Sequence, residues 1–232
     1  MKLKSILFSG IAVVLFTILS SCGGREYKKS PLDSYIVELS DEKEFSVIIE
    51  DMDVDGTFFK TYKHKYKVIR VADSIPTEST SDWKEVEKEF FWKNEGNLGM
   101  VVLEKGPDGS LSKVAVPPGY RYVGDSKYGE WRTHNGSSFW SFYGRYMFMS
   151  QMFGMMNRPV YRSDYNTYRG GGYYGKRSYY GPKEGKYSKY GTNSAQTKKS
   201  RPSFFSRRAT KSGWSSSRSR SGGRSRGSGF GK

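Results

Sequence analysis

The chain has 232 residues, one cysteine, two histidines and a formal net charge of +16 at pH 7. A single cysteine excludes an intramolecular disulfide, and two histidines beside it supply too few nitrogen and sulfur ligands for a structural zinc site. The length suits one small folded domain together with additional segments.

The first 21 residues have the order of a secretory signal peptide. Lys2 and Lys4 form a positive start, and an uncharged apolar stretch runs from Ile6 to Leu19. Small residues follow at Ser20 and Ser21, as at a cleavage site. The apolar stretch of about 14 residues is shorter than the roughly 20 that span a bilayer. We therefore expect residues 1–21 to be removed after export.

The cleavage region has a more specific pattern. Leu19-Ser20-Ser21-Cys22 resembles the bacterial lipobox, in which an aliphatic residue and two small residues precede a cysteine. The resemblance implies that Cys22 is lipidated and becomes the first residue of a membrane-anchored lipoprotein. Several acyl chains hold a protein at a membrane stably, whereas one chain does not. Residues 22–30 then resemble a lipoprotein tether, and Gly23 in place of Asp favours an outer-membrane or periplasm-facing location over the inner membrane.

Charge divides the remainder of the chain into two parts. Residues 22–156 contain 18 Lys and Arg against 21 Asp and Glu, whereas residues 157–232 contain 19 against 2. Aliphatic residues also become rare after Val160. A segment that cannot bury enough apolar surface does not offset the entropy lost on ordering. The sequence thus predicts a folded domain at 31–156 and a disordered Gly/Tyr/Arg/Ser-rich basic tail at 157–232.

Within 31–156 the patterns predict an α+β fold of antiparallel hairpins with short helices. Ser30-Pro31 is a favourable helix start, so a helix is expected over 31–39. Alternating residues predict strands over 45–54 and 57–71, joined at Asp55-Gly56, with Phe58 on the apolar face of the second strand. A helix from Asp82 to about Asn94 and a second hairpin over 98–104 and 111–116 follow.

Residues 138–156 are rich in aromatic residues and methionine, and Arg145 carries the only charge. Ser138 can cap a helix here. Three interpretations are open: a helix packed on the domain, an interfacial helix lying on the bilayer, or a Cu(I) site made of Met thioethers. We favour the packed helix.

Asp51, Asp53 and Asp55, followed by Gly56, match the first half of a calcium loop. The twelfth position is Tyr62, where a bidentate Glu is needed, and strands flank the motif. Calcium is therefore a weak candidate, and a polar strand face is the preferred interpretation.

His64 and His134 are expected to have packing or surface roles, and no nucleophile elbow accompanies the serines. The sequence predicts no catalytic residues, no cofactor and no enzyme.

Arginines in the basic tail are the candidate contacts to an anionic partner: Arg207, Arg208, Arg218, Arg220, Arg224 and Arg226. The tail resembles the RGG and RS tails of RNA-binding proteins, in which aromatic stacking accompanies phosphate neutralisation. Export argues against intracellular nucleic acid, so the expected partners are an anionic envelope polymer or lipid headgroups.

The overall plan resembles uncharacterised Gram-negative envelope lipoproteins. It implies a lipid-anchored, non-enzymatic envelope protein whose basic tail contacts anionic envelope components. The alternatives are an accessory subunit that binds a membrane protein through residues 139–156 and, less favoured, a hydrolase.

Overall fold

A computed structural model describes residues 30–72, 75–211 and 214. The predicted signal peptide, Cys22 and most of the tether lie outside the described residues. The described part is an α+β fold of antiparallel strands and short helices, which confirms the predicted fold class. None of its helices combines the length and the apolar composition needed to cross a bilayer.

The described helices are short: α1 Pro31–Glu38, α2 Lys88–Lys93, α3 Met147–Met152, α4 Arg162–Gly170, α5 Ala195–Ser200 and α6 Pro202–Thr210. The strands are β1 Glu44–Asp55, β2 Thr61–Ala72, β3 Ile75–Thr80, β4 Lys84–Val86, β5 Val101–Lys105, β6 Leu111–Ser112, β7 Gly129–His134, β8 Ser137–Phe142, β9 Lys183–Glu184 and β10 Tyr187–Ser188. Single 3₁₀ turns lie at Glu95–Asn97, Tyr120–Tyr122 and Gly144–Tyr146.

One antiparallel sheet organises the fold, with strand order β3-β2-β1-β5-β6 and with β4 also paired to β2. Helix α1 begins where the sequence predicts, with the Ser30 side chain accepting a hydrogen bond from the Leu32 amide. The predicted β1–β2 hairpin is confirmed, but its turn is longer than Asp55-Gly56. Strand β2 starts only at Thr61, so Phe58 lies in the connecting loop and not on the strand.

A β-bulge at Glu50 determines which way the later residues of β1 face. Ile49 pairs with Tyr66 and Asp51 pairs with Lys65, which leaves Glu50 as the extra residue. One extra residue reverses the alternation of a strand. Met52 and Val54 consequently continue the apolar face begun by Phe45, Val47 and Ile49, and the three aspartates turn to the other face.

Both faces of the sheet are covered. On one face, helices α1, α2 and α6 enclose a core that includes Ile49, Tyr66, Phe91 and Phe204. On the opposite face, Ile48 and Ile69 pack against a core dominated by tyrosines, which comes from residues 100–190. Aromatic side chains bury large areas, so a few of them can replace many aliphatic residues.

The predicted helix over 138–156 is wrong. Residues 137–142 form strand β8, which pairs with β7 across the Asn135-Gly136 turn, and only Met147–Met152 is α-helical. Both turn residues have positive φ angles, which is typical of a tight two-residue hairpin. Trp131 and Trp140 lie opposite each other with ring centroids 5.2 Å apart. The segment packs on the domain through residues such as Met149, which is fully buried, whereas Met147 and Met156 are exposed.

The predicted helix from Asp82 is also partly wrong. Lys84–Val86 instead extends the sheet as β4, paired with residues 62–64 of β2, and the helix begins at Lys88.

The predicted domain boundary at 156 needs the largest correction. Residues 157–211 are folded onto the domain and are not a disordered tail. Val160, Tyr168, Tyr179 and Tyr190 lie in the tyrosine-rich core, and Phe204 lies in the core on the other face of the sheet. The physical reason is that aromatic residues supply the apolar surface that aliphatic residues do not. The segment from 215 onward lies outside the described residues.

Candidate functional site

An open edge of β1 positions the acidic residues of the predicted calcium motif. The pairing of β1 with β5 stops at Ile48, so the last third of β1 has β2 as its only strand neighbour in the described structure. Helix α6 and the residue after it lie along this edge. The carbonyl of the bulged Glu50 accepts a hydrogen bond from Arg201, whose guanidinium also makes two hydrogen bonds with the Glu50 carboxylate, at 2.7 and 3.0 Å.

Cations from the C-terminal segment neutralise all three aspartates. Arg207 Nη2 lies 2.7 Å from the Asp51 carboxylate, and Lys211 Nζ lies 2.7 Å from Asp53 and 2.6 Å from Asp55. Lys211, followed by Lys63, lowers the pKa of Asp55 to about 2 by hydrogen bonding to its carboxylate. No three His, Cys, Asp or Glu side chains within the described ranges are arranged to hold a metal ion. Asp51, Asp53 and Asp55 thus have cationic partners in the described structure, and nothing there supports the weak calcium candidate.

Two of the predicted anion-binding arginines are likewise used inside the fold. Arg207 binds Asp51, and Arg208 binds the carboxylate of Glu95. Their role as contacts to an outside partner is therefore corrected: they attach α6 to the domain. Arg218, Arg220, Arg224 and Arg226 lie outside the described residues.

The two histidines lie on different sheets. His64 is fully buried on β2 against Phe90 and Phe91, with Nδ1 3.0 Å from the Tyr66 hydroxyl oxygen. Burial lowers the pKa of His64 to about 3. His134 is exposed at the end of β7. A packing role for His64 and a surface role for His134 match these positions.

Residues 157–211 carry 14 Lys and Arg against Asp164 and Glu184. The four cations at 201–211 form ion pairs with carboxylates of β1 or with Glu95. Lys189 pairs with Asp164 at 3.2 Å. The other nine make no ion pair with any described residue. Arg158 lines a cavity, and the remaining eight form what we call the basic surface: Arg162, Arg169, Lys176, Arg177, Lys183, Lys186, Lys198 and Lys199.

Helix α4 and the turn after it carry one part of the basic surface. Arg162 and Arg169 are seven residues apart, so both project from the same side of the helix. Tyr168 anchors the helix by packing against Tyr120 and Tyr179 in the core, with centroid distances of 5.4 and 5.2 Å. The buried tyrosine therefore fixes the orientation of the two arginines.

Aromatic rings lie within 6 Å of five of the eight cations of the basic surface. The Arg169 guanidinium carbon is 3.9 Å from the ring centroid of Tyr174, and that of Arg177 is 4.3 Å from Tyr173. Lys198 and Lys186 approach the Tyr187 ring to 4.0 and 5.3 Å, respectively. The charges of Lys186 and then Lys198 lower the pKa of the Tyr187 hydroxyl. Planar cations and exposed aromatic rings together suit phosphate groups and flat ring systems.

A cavity of about 210 Å³ lies next to this surface, between the sheet, the end of α3 and helix α5. Arg158 and Arg201 both line it, together with the side chains of Thr197 and Ser200. Arg201 is neutralised by Glu50, whereas Arg158 has no carboxylate partner in the described structure: it donates a hydrogen bond to the Lys189 carbonyl oxygen at 3.5 Å and lies over the Tyr190 ring. Burial lowers the pKa of Arg158, Tyr190 offsets part of this, and Arg201 adds to it. The cavity can therefore receive one anionic group.

The six arginines predicted as anion contacts are not among the cations of the basic surface. Of these six arginines, Arg207 and Arg208 are paired inside the fold and four lie outside the described residues. Within 157–211, the cations that form no ion pair in the described structure lie at 158–199. The available signal was local composition: acids that could neutralise these cations are nearly absent there, and tyrosines are interleaved with them.

No protein-family model, no curated protein sequence and no solved structure matches this chain.

Proposed function

We propose that this protein is a lipid-anchored, non-enzymatic component of a bacterial envelope, which binds a phosphate-rich polyanion through its basic surface. The polyanion is an anionic envelope polymer or an array of lipid headgroups. The observation that carries the proposal is that some cations of residues 157–211 have carboxylate partners in the domain and others do not. Those at 201–211 are matched by acids of the domain, and the eight of the basic surface have no carboxylate partner in the described structure.

Unmatched charge on a folded surface is costly, since like charges repel one another in the compact state. An external polyanion removes that cost and releases its own condensed counterions on binding. Tyr173, Tyr174 and Tyr187 hold the cations in place by cation–π contacts, so less side-chain entropy is lost when the anion arrives.

Two sequence features support the remaining parts of the proposal. The lipobox-like residues 19–22 support the anchor at Cys22. Residues 215–232 hold four arginines and one lysine and no acid, so the sequence continues with charge of the same sign after the described residues.

The proposal is tested by measuring how salt changes binding. A DNA duplex is a suitable probe, since its phosphate density is uniform and no base sequence needs to be read. Binding of the full chain should weaken steeply with salt. Changing Arg169, Arg177, Lys186 and Lys198 to Gln should make the negative slope of log K against log salt shallower, by up to about 0.9 for each phosphate that the protein no longer neutralises.

The matched control removes the same charge elsewhere, with Lys88, Lys93, Lys113 and Arg132 changed to Gln, all of which are exposed. It should keep most of the affinity and the salt slope. Equal reductions of affinity in both variants would mean that only net charge matters, and binding that ignores salt would refute the proposal.

A further inference from the structure

The loop between β1 and β2 carries two adjacent phenylalanines that contact almost nothing. Phe58 and Phe59 are 94% and 93% exposed, the highest values among the exposed large hydrophobic residues of the described structure. Single exposed apolar residues are common on proteins, but two consecutive phenylalanines with nearly all of their surface in water are not explained by packing. Their exposure points to a function outside the core.

The tip of this hairpin is preformed. Gly56 has a φ of +86°, and a Cβ atom at this position would lie 1.9 Å from the carbonyl oxygen of Phe59. The loop therefore folds back tightly on itself at a position that only glycine can occupy. At its base, Asp55 binds both Lys63 and Lys211, at 2.9 and 2.6 Å. The two rings therefore lie in a fixed turn at the end of the hydrogen-bonded β1–β2 hairpin.

The size and surroundings of the tip favour a lipid surface over a protein groove. Two phenylalanines expose roughly 300–500 Å², whereas one side of a stable protein interface usually takes about 800 Å². Polar residues border the rings on both sides, with Thr57 before them and Lys60 and Thr61 after them. Apolar rings beside a lysine match the boundary between acyl chains and anionic headgroups.

We propose that Phe58 and Phe59 insert into the headgroup region of the membrane that carries the lipid anchor, as a second point of attachment. This inference rests on the proposed function, because the anchor is what brings a bilayer close. The tether of nine residues reaches about 30 Å at most, so the domain stays at high local concentration beside the lipid. With two attachment points, the domain has a defined orientation on the membrane.

A single fluorescent label tests the insertion. Cys22 is the only cysteine and would be acylated, so Phe58→Cys can be labelled uniquely with the environment-sensitive dye NBD. The full lipidated chain is reconstituted in vesicles of phosphatidylethanolamine and phosphatidylglycerol that contain nitroxide-labelled lipid. The matched control is Val37→Cys, which replaces another apolar residue that is 75% exposed, on α1.

Dye at position 58 should lose several-fold more fluorescence to the nitroxide than dye at position 37, and Phe59→Ser should reduce that difference. Equal, weak quenching at both positions would overturn the insertion, including the case in which the rings instead serve a protein partner. Mass spectrometry of the purified chain reports the acyl groups separately. If the chain is lipidated and the dye at position 58 is not quenched, the insertion alone is refuted. If the dye is quenched and the chain carries no acyl groups, the anchor alone is refuted.

Discussion

Aromatic surroundings fix the protonation state of His64. The imidazole is enclosed by Phe90 and Phe91, and the Tyr66 hydroxyl can donate a hydrogen bond to its Nδ1. A charged imidazolium would lose most of its hydration there without gaining a counterion, so the folded protein holds His64 neutral.

We predict that this histidine makes the fold sensitive to acid. The pKa of His64 falls from an ordinary 6.5 to about 3 on folding, so between these values the unfolded chain binds a proton that the folded chain does not. The free energy of unfolding should therefore decrease as pH falls from 6.5, by up to about 1.4 kcal/mol per pH unit. Urea unfolding at a series of pH values measures this slope.

His64→Gln is the control for that measurement, because an amide keeps a polar group at the site and does not titrate. Its stability should vary less between pH 6.5 and pH 4 than that of the unaltered protein. Identical slopes for the two proteins would show that groups other than His64 cause the acid sensitivity in this range. Asp55 acts at lower pH, because its pKa falls from 3.8 to about 2 on folding and its contribution to stability is lost only between these values.

At the scale of elements, α6 closes the open edge of β1. An unpaired edge strand is a template for association with other chains, and proteins cover or charge such edges. Here α6 and the residues that flank it cover the edge and carry four cations held by acids, and a single large anchor, Phe204, enters the core. Fully buried Phe204 is followed by the half-buried Phe205, which provides a matched pair of sites.

Phe204→Ala should destabilise the protein by about 3–5 kcal/mol, the usual cost of emptying a buried phenylalanine site. The melting temperature should fall by roughly 10 °C in consequence. Phe205→Ala should cost clearly less, since its ring is partly in solvent already. Calorimetry of the two variants decides the matter, and equal destabilisation would show that α6 does not depend on a buried anchor.

Local signals predicted some elements and missed others for identifiable reasons. Ser30-Pro31 marked helix α1, and the alternation before Asp55 marked the first hairpin. At 138–156, a run of aromatic residues suggested a helix. The Asn135-Gly136 turn was the better signal, because it pairs the residues that follow it with β7. Residues 84–86 became a strand because β2 offers a neighbour at that position, which no local pattern reveals.

At the scale of the whole molecule, composition alone misjudged where the domain ends. The rarity of aliphatic residues after Val160 suggested a tail, yet Tyr168, Tyr179 and Tyr190 fill a core on one face of the sheet. The ion pairs between 201–211 and β1 could not be predicted either, because their partners are about 150 residues apart in sequence. The excess of cations, by contrast, was visible from the sequence.

The position of this boundary leads to a prediction about truncation. A chain that stops after Trp214 should fold. One that stops after Met156 should not, since it lacks Tyr168, Tyr179 and Tyr190, Phe204 and the cover of β1. Near-ultraviolet circular dichroism and gel filtration compare the two. Limited proteolysis of the full chain should likewise leave a core that extends to about 211. A compact, soluble product ending near 156 would contradict both expectations.

The contact between Arg201 and Glu50 joins residues 151 positions apart, and this spacing has a consequence for biogenesis. A chain emerging from a ribosome or a translocation channel presents β1 long before α6 exists. At synthesis rates of roughly 5–20 residues per second, the delay is on the order of 10–30 s. Throughout that interval the edge of β1 and its carboxylates face other molecules, so we expect the nascent protein to depend on a holding chaperone more than a domain of low contact order does.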